Sequence, residues 1–208
     1  MTQRLIIRLI PLEIFLFSVV AGGLLMSGMR AILRTMPAAA SASMLSPVFT
    51  PEVQHWASQI TNWATPYQLD PNLVATVMQI ESCGAPHAIS SSGAQGLFQV
   101  MPFHFAPEDV MEDPDTNAGR GLAYLSLGLS RAGGNVGLAL AGYNGGHSQI
   151  GRDSSLWPAE TQRYWYWGTG IYQDAVNGLP ESPRLQEWLQ AGGASLCTRA
   201  AQELGLTR

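Results

Sequence analysis

The chain has 208 residues, of which 46% are hydrophobic and only 12% are charged, and this length suits one core-forming domain with additional segments. It contains no lysine, and beyond residue 40 it carries seven arginines against fourteen acidic residues, a net charge of −7 at neutral pH. Because a phosphate-binding surface needs clustered positive charge, this balance argues against nucleic acid as a partner.

The N-terminal segment, residues 1–36, is predicted to enter a membrane. Between residues 9 and 29 the sole charged side chain is Glu13, and a bilayer span needs about 20 apolar residues. A run of small residues at 37–43 also fits the cleavage region of a signal peptide. Two arginines separate the apolar run from the small-residue run, so a retained signal anchor is favoured over a cleaved signal peptide.

Beyond this segment the pattern predicts an all-α domain. Apolar residues recur at helical spacing, and strand signals are nearly absent. A capping residue followed by proline opens some of the helices, as at Asp70-Pro71. The predicted helices cover residues 52–64, 71–82, 115–131, 136–143, 159–174 and 183–191. The predicted organisation is a signal anchor or signal peptide at 1–36, a linker at 37–49 and the folded domain at 50–208.

The chain has only two cysteines, Cys83 and Cys197. In an oxidising periplasm they could form one disulfide that ties the C-terminal tail to the segment around Cys83. Two buried free thiols are an equally good interpretation of the sequence. Both interpretations stay open at this point.

A single carboxylate, Glu81, interrupts a long uncharged stretch. No other Asp, Glu, Lys or Arg occurs from Pro71 to Pro107. Leu73, Val77 and Glu81 follow one another at four-residue spacing, so Glu81 extends the core-facing stripe of its predicted helix. Burial and the negative helix C-terminus both raise the pKa of a carboxyl group, which is what a general acid requires. The alternative is a side chain that reaches solvent at the helix end.

Three later segments carry candidate sugar-binding side chains. Gln99 lies in a Ser/Gly-rich loop, Tyr143 and Asn144 lie among glycines at a helix end, and Tyr164 lies in the aromatic segment 158–172. Amides and aromatic rings suit an uncharged, hydroxyl-rich ligand such as a sugar. The structural alternatives are a tight loop, a helix C-cap at Asn144, and inward packing of Tyr164.

A metal site is not expected. The histidines have no paired Cys, His or Asp at a metal-binding spacing, and no Ser-His-Asp arrangement is recognisable. We therefore predict neither a metal nor another cofactor. The four histidines are His55, His87, His104 and His147.

Five motifs in order resemble the catalytic domain of soluble-type lytic transglycosylases, a lysozyme-like family that cleaves peptidoglycan. The resemblance covers roughly residues 66–175, with Phe98 and Gly142 replacing the usual Met and Ala. The matching residues are Glu81-Ser82; Gly96-Leu97-Phe98-Gln99 with Met101-Pro102; Asp113-Pro114, Asn117, Gly121 and Tyr124-Leu125; Gly142-Tyr143-Asn144; and Glu160-Thr161 with Tyr164.

The resemblance implies a lysozyme-like helical fold and a lone catalytic acid, Glu81. It would protonate the glycosidic oxygen between N-acetylmuramic acid and N-acetylglucosamine and then accept a proton from the muramic C6 hydroxyl, which closes a 1,6-anhydro ring. By the same resemblance Tyr164 supports Glu81, and other residues orient the sugars or stabilise the developing cation: Ser82, Gln99, Tyr143 and Asn144. Glu160 is interpreted as a structural first-turn carboxylate.

Two other functions compete with this one. The first is a hydrolytic muramidase on the same fold, and the second is a non-catalytic peptidoglycan-binding component of an envelope machine. The expected partners are peptidoglycan glycan strands and, through the N-terminal helix, the inner membrane. The small size of the chain also suggests service to a conjugation or secretion apparatus. The expected location is the periplasmic face of the inner membrane, or the periplasm if the N-terminus is cleaved.

Overall fold

The computed structural model describes residues 45–206, which form helices and connecting loops. Strand pairing within this range is limited to isolated bridges that join Ile89 to Gln95 and Gln95 to Val100. The prediction of an all-α domain is thus confirmed. The helices are α1 (Pro51–Gln54), α2 (Ala57–Ala64), α3 (Pro71–Glu81), α4 (Pro114–Arg131), α5 (Val136–Gly145), α6 (Ala159–Val176), α7 (Pro183–Trp188) and α8 (Ala194–Glu203).

The helix starts follow the capping chemistry of the sequence. The Asp70 side chain accepts a hydrogen bond from the Asn72 N–H, and Asp113 does the same for Thr116. Proline occupies the first position of both α3 and α4, where its missing N–H would have no helical partner. Asn135 caps α5 through the Leu138 N–H. These three helices therefore begin within one residue of their predicted starts.

The helix predicted at 52–64 is broken into α1 and α2. The break falls at His55-Trp56, where Trp56 leaves the helical region with φ −92° and ψ 7°. The buried Trp56 indole N–H donates to the Gly84 carbonyl oxygen at 2.9 Å, and this tertiary contact holds the residue at the turn.

The packed domain begins earlier than predicted. Residues 45–49, assigned to the linker, contribute Leu45, Val48 and Phe49 to the core. The Ser46 N–H also donates to the Asn72 side-chain oxygen at 2.9 Å, so apolar burial and a hydrogen bond fasten this segment. The predicted anchor at 1–36 and residues 37–44 of the linker lie outside the described residues. Among residues 45–206, no helix combines the length and the apolar composition that a bilayer crossing requires.

The C-terminal part contains a helix that was not predicted. α7 stops at Trp188, short of the expected residue 191, and a wide turn at Leu189–Gly193 leads into α8. A disulfide between Cys83 and Cys197 joins α8 to the segment after α3, with the two Cα atoms 5.0 Å apart. The tail is therefore part of the domain.

The core is built around α3. Its residues Leu73, Val77 and Met78 have almost no exposed area. α3 packs against α2 and α6, while α5 packs between α4 and α6. Glu81 thus stands at the C-terminal end of the most deeply buried helix, at the point where that helix leaves the core.

Candidate active site

Glu81 is the last residue of α3 and lines a surface depression of about 410 Å³. Gln99 lines the same depression from the Ser/Gly-rich loop. A further wall comes from α8, with the side chains of Leu196, Arg199 and Glu203. Segments that lie far apart in the sequence therefore surround Glu81, the only Asp or Glu among residues 71–107.

Burial raises the pKa of Glu81 from its ordinary value of 4.5 to about 8. Part of the side chain is exposed in the depression, but dense protein around the carboxyl group removes much of its hydration and so disfavours the anion. The Tyr164 hydroxyl opposes this effect, and the negative charge of Glu160 adds to it. Glu81 is accordingly protonated at neutral pH and has a proton to donate.

Tyr164 and Tyr143 both lie within the electrostatic reach of Glu81. Burial, followed by the charge of Glu81, raises the pKa of each phenol well above its ordinary value. The Tyr164 hydroxyl is buried and has no hydrogen-bond partner of ordinary geometry among residues 45–206. It nevertheless lies close enough to the Glu81 carboxyl group to lower the pKa of that group. The Tyr143 hydroxyl donates to the Phe98 carbonyl oxygen at 2.8 Å.

Ser82, which was predicted to contact sugars, is instead buried. Its hydroxyl donates to the Leu97 carbonyl oxygen at 2.7 Å and accepts from the Gly84 N–H at 3.0 Å. These bonds use the hydroxyl to tie the end of α3 to the loop. Ser82 therefore holds the end of α3 against the loop while it also lines the depression, and its contact with sugars stays a prediction.

Gln99 adopts a left-handed backbone conformation with φ 46°, which is unfavourable for a side chain with a Cβ atom. Its amide N–H groups donate to the carbonyl oxygens of Ala88 and Gly96 at 2.9 and 3.0 Å. These two bonds hold the side chain between the depressions and leave its carbonyl oxygen as the atom that can accept from a ligand.

Asn117 of α4 is fully buried and holds the loop that carries Gln99 through hydrogen bonds. Its side-chain oxygen accepts from the Phe98 N–H at 2.9 Å, and its amide donates to the carbonyl oxygens of Gln95 and Met111, each at 2.8 Å. Gly96 lies against this amide with φ 77°. A Cβ atom there would collide with Asn117, so the glycine lets the loop approach α4 closely.

A second depression of about 160 Å³ adjoins the first, because Gln99 lines both. Tyr143 and Asn144 line it from the end of α5, opposite Phe103 and Tyr124. The Asn144 side-chain oxygen accepts from the Thr161 hydroxyl at 2.9 Å, which leaves its amide N–H groups as donors. Four of the predicted residues line these two neighbouring depressions, which together are called the groove: Glu81, Gln99, Tyr143 and Asn144.

The aromatic residues at the groove are mostly not those of segment 158–172. From that segment Tyr164 reaches Glu81, whereas Trp165 and Tyr166 are 39% and 43% exposed and line neither depression. Sequence analysis did not predict that Phe103 and Tyr124 line the second depression. The Tyr124 ring lies 4.8 Å from that of His104. The sequence signal that could have identified Phe103 was its position directly after the Met101-Pro102 motif.

The arrangement supplies a protonated carboxylic acid, amide donors and acceptors, and aromatic walls. This combination suits acid catalysis on a neutral polyhydroxylated ligand. The one Cys/Glu cluster among the described residues joins Glu52 to Cys83 and Cys197. Since the disulfide uses both sulfur atoms, this cluster has no thiolate with which to bind a metal.

Residues 58–165 match the model of the transglycosylase SLT domain family. The chain belongs to this family. The matched segment contains Glu81 and every predicted groove residue, and it ends before α7 and α8. The lytic transglycosylase resemblance is thus confirmed at the level of the domain.

The chain is also similar in sequence to several curated proteins. The chain is 40% identical over 111 residues to the transglycosylase of Enterobacteria phage PRD1, covering 52% of this chain and 40% of that protein. It is 39% identical over 75 residues to membrane-bound lytic murein transglycosylase C of Photorhabdus laumondii, covering 29% and 21%. It is 28% identical over 118 residues to membrane-bound lytic murein transglycosylase E of Buchnera aphidicola, covering 50% and 53%.

The chain spans roughly a fifth to a half of the length of these relatives. A solved structure of lytic transglycosylase Slt from Pseudomonas aeruginosa aligns with 73% of this chain and 24% of its own, at 23% identity and a TM-score of 0.42.

Proposed function

We propose that this SLT domain is a peptidoglycan lytic transglycosylase that cleaves the bond between N-acetylmuramic acid and N-acetylglucosamine and leaves a 1,6-anhydro end. The observation that carries the proposal is a family-matching glutamic acid, Glu81, whose pKa is raised to about 8 inside a groove lined by amides and aromatic rings. The names of the similar murein transglycosylases support the substrate class.

In the first step Glu81 donates its proton to the glycosidic oxygen. The C1–O bond breaks with that oxygen as the protonated leaving group, and positive charge develops at C1 of the muramic acid. A carboxyl group with a pKa near 8 is still protonated at neutral pH, so the acid form is available without a second group to reload it.

In the second step the Glu81 carboxylate takes the proton from the muramic C6 hydroxyl, and O6 forms the new bond to C1. Glu81 regains its proton, and no water is consumed. The nucleophile belongs to the same sugar, so its effective concentration is high and a carboxylate that positions water is unnecessary. This agrees with the absence of another Asp or Glu from Pro71 to Pro107.

The remaining groove residues have distinct roles in the proposal. The Gln99 carbonyl oxygen and the Asn144 amide orient sugar hydroxyl and acetamido groups. Tyr164 stabilises the Glu81 carboxylate after proton transfer, because its buried hydroxyl lowers the pKa of Glu81. Tyr143 holds the loop through Phe98, and Ser82 holds the end of α3, as their hydrogen bonds indicate.

Analysis of the products by mass spectrometry tests this function. Digested sacculi are expected to yield anhydro-muropeptides, and the Glu81→Gln variant is expected to yield none while still binding sacculi. Products heavier by one water molecule, with reducing ends, would identify the hydrolytic alternative. Undiminished lysis by Glu81→Gln would exclude Glu81 as the acid. An exposed glutamate far from the groove, Glu181, provides the control variant Glu181→Gln.

The proposed location is the periplasmic face of the inner membrane, with residues 1–36 as anchor. The relatives named as membrane-bound support a place at the cell envelope, and the anchor itself stays a prediction from the sequence. Reporter fusions after residue 44, with membrane fractionation, test it. Service to a conjugation or secretion apparatus likewise stays a prediction, tested by whether loss of the protein impairs transfer without altering growth.

A further inference from the structure

We propose that Arg199 of α8 forms a subsite for the carboxylates of the peptide stem carried by muramic acid. The inference rests on the proposed function, because it assigns a second recognition element to the same substrate. It concerns a part of the chain beyond residue 165, where the family match ends. Recognition of the stem charge would thus be a property of this chain and not of the matched segment.

The first observation is the position of α8. Leu196, Arg199 and Glu203 occur at positions that share one face of this helix, and all three line the depression that contains Glu81. The disulfide from the buried Cys197 to Cys83 fastens α8 to the segment that begins two residues after Glu81. The backbone of α8 at Arg199 is therefore held beside the depression without a substrate, and the Arg199 side chain lines it.

The second observation concerns the charges of the depression. Glu203 accepts a hydrogen bond from the His87 N–H at 3.3 Å, and the His87 ring contacts Glu112 at 3.2 Å. Arg199 makes no hydrogen bond or ion pair with any residue from 45 to 206 and is exposed. Among residues 45–206 it is the only arginine that lines this depression.

The chemistry of the substrate supplies the matching anion. Cleavage requires Glu81 to meet the oxygen on C1 of muramic acid, and the same sugar carries the lactyl ether and peptide stem on C3. The stem must therefore leave the sugar close to the depression, whose volume of about 410 Å³ exceeds the space that a carboxyl group needs. A stem carboxylate would be repelled by this acidic domain, and the guanidinium group of Arg199 at the depression offsets that repulsion.

The test compares two substrates that differ only in stem charge. Soluble glycan strands with native stems are set against the same strands after carbodiimide coupling to ammonia, which converts their carboxylates into neutral amides. Arg199→Gln should lower kcat/KM on native strands about two- to fivefold, as expected for the loss of one exposed charge pair, and should leave kcat/KM on amidated strands at the wild-type value. Arg199→Lys should recover part of the loss on native strands.

Arg163→Gln is the matched control, because Arg163 is exposed on α6 and lines a different depression. The proposal is overturned if Arg199→Gln leaves kcat/KM on native strands unchanged, if it lowers kcat/KM equally on both substrates, or if Arg163→Gln causes the same selective loss. The identity of the products reports separately on the proposed function. Wild-type protein that releases no anhydro ends would refute that function, whatever Arg199 does.

Discussion

The buried hydroxyl of Tyr164 lies beside the carboxyl group of Glu81 and lowers its pKa, against the rise that burial imposes. Glu160, at the first turn of α6, is exposed and acts in the opposite sense through its charge. One helix therefore contributes both a group that favours the carboxylate and a group that favours the acid. The proton affinity of Glu81 depends on this balance.

The activity of the wild-type protein should fall on the alkaline side of about pH 8. Glu81 must be protonated to start the reaction, and its pKa is raised to about 8. Above that pH the protonated fraction decreases about tenfold per unit. Initial rates of anhydro-muropeptide release across a pH series measure this limb. A decline centred near the ordinary glutamate pKa of 4.5 would contradict the assignment.

Two substitutions on α6 should shift the alkaline limb in opposite directions. Tyr164→Phe removes the group that lowers the pKa of Glu81, so the limb should move to higher pH. Glu160→Gln removes a negative charge that raises this pKa, so the limb should move to lower pH, by less. The controls are Tyr166→Phe and Glu181→Gln, whose side chains are exposed away from the groove. If Tyr164→Phe and Glu160→Gln shifted the alkaline limb in the same direction, the opposing effects of these residues on the pKa of Glu81 would be refuted.

Glu81→Gln should make the folded protein more stable than wild type, and this difference should grow as pH rises from about 4.5 towards 8. The folded-state pKa of about 8 exceeds the ordinary value of 4.5, so between these values the folded state binds more protons than the unfolded state and wild-type stability falls with rising pH. The variant lacks this titration. Its free energy of unfolding should exceed that of wild type by on the order of 2–3 kcal/mol at pH 7, and the difference should vanish near pH 4. Urea denaturation at both pH values measures it.

Removal of the disulfide should destabilise the domain and loosen α8, which forms one wall of the depression that contains Glu81. The Cys83–Cys197 bond closes a long loop with a sequence separation of 114, so the Cys83→Ser/Cys197→Ser double variant should lose about 2–5 kcal/mol of unfolding free energy. Its kcat/KM should also fall, because α8 is held less firmly beside Glu81. Dithiothreitol should produce the same change in wild type and none in the variant. A reductant effect that persists in the variant would exclude the disulfide as its cause.

Asn117→Ala should impair both folding and catalysis. The substitution leaves the buried N–H of Phe98 and the carbonyl oxygens of Gln95 and Met111 without their partner, a cost of about 2–4 kcal/mol. The loop that presents Gln99 would loosen, so kcat should fall even where the variant remains folded. Thermal unfolding and turnover measure the two effects. Asn177→Ala, at the exposed end of α6, is the control and should change neither by a comparable amount.

The sequence by itself determined the helical class and several helix starts, and it singled out Glu81 as the predicted acid. Asp70, Asp113 and Asn135 cap helices through bonds to N–H groups two or three residues away, and such short-range chemistry can be read from the chain. The apolar stripe that ends in Glu81 is equally local, since its period follows from helical geometry. These features could be predicted because each depends on residues close together in sequence.

Only the tertiary structure decided what surrounds Glu81. The pKa of about 8 arises from burial, which Tyr164 of α6 opposes and the charge of Glu160 of α6 reinforces, and desolvation sums over all neighbours whatever their place in the chain. The hydrogen bond from the buried Ser82 hydroxyl to the Leu97 carbonyl oxygen, and the return of α8 to the depression that contains Glu81, likewise depend on long-range packing. No local pattern encodes such contacts, since they exist only once distant segments have come together.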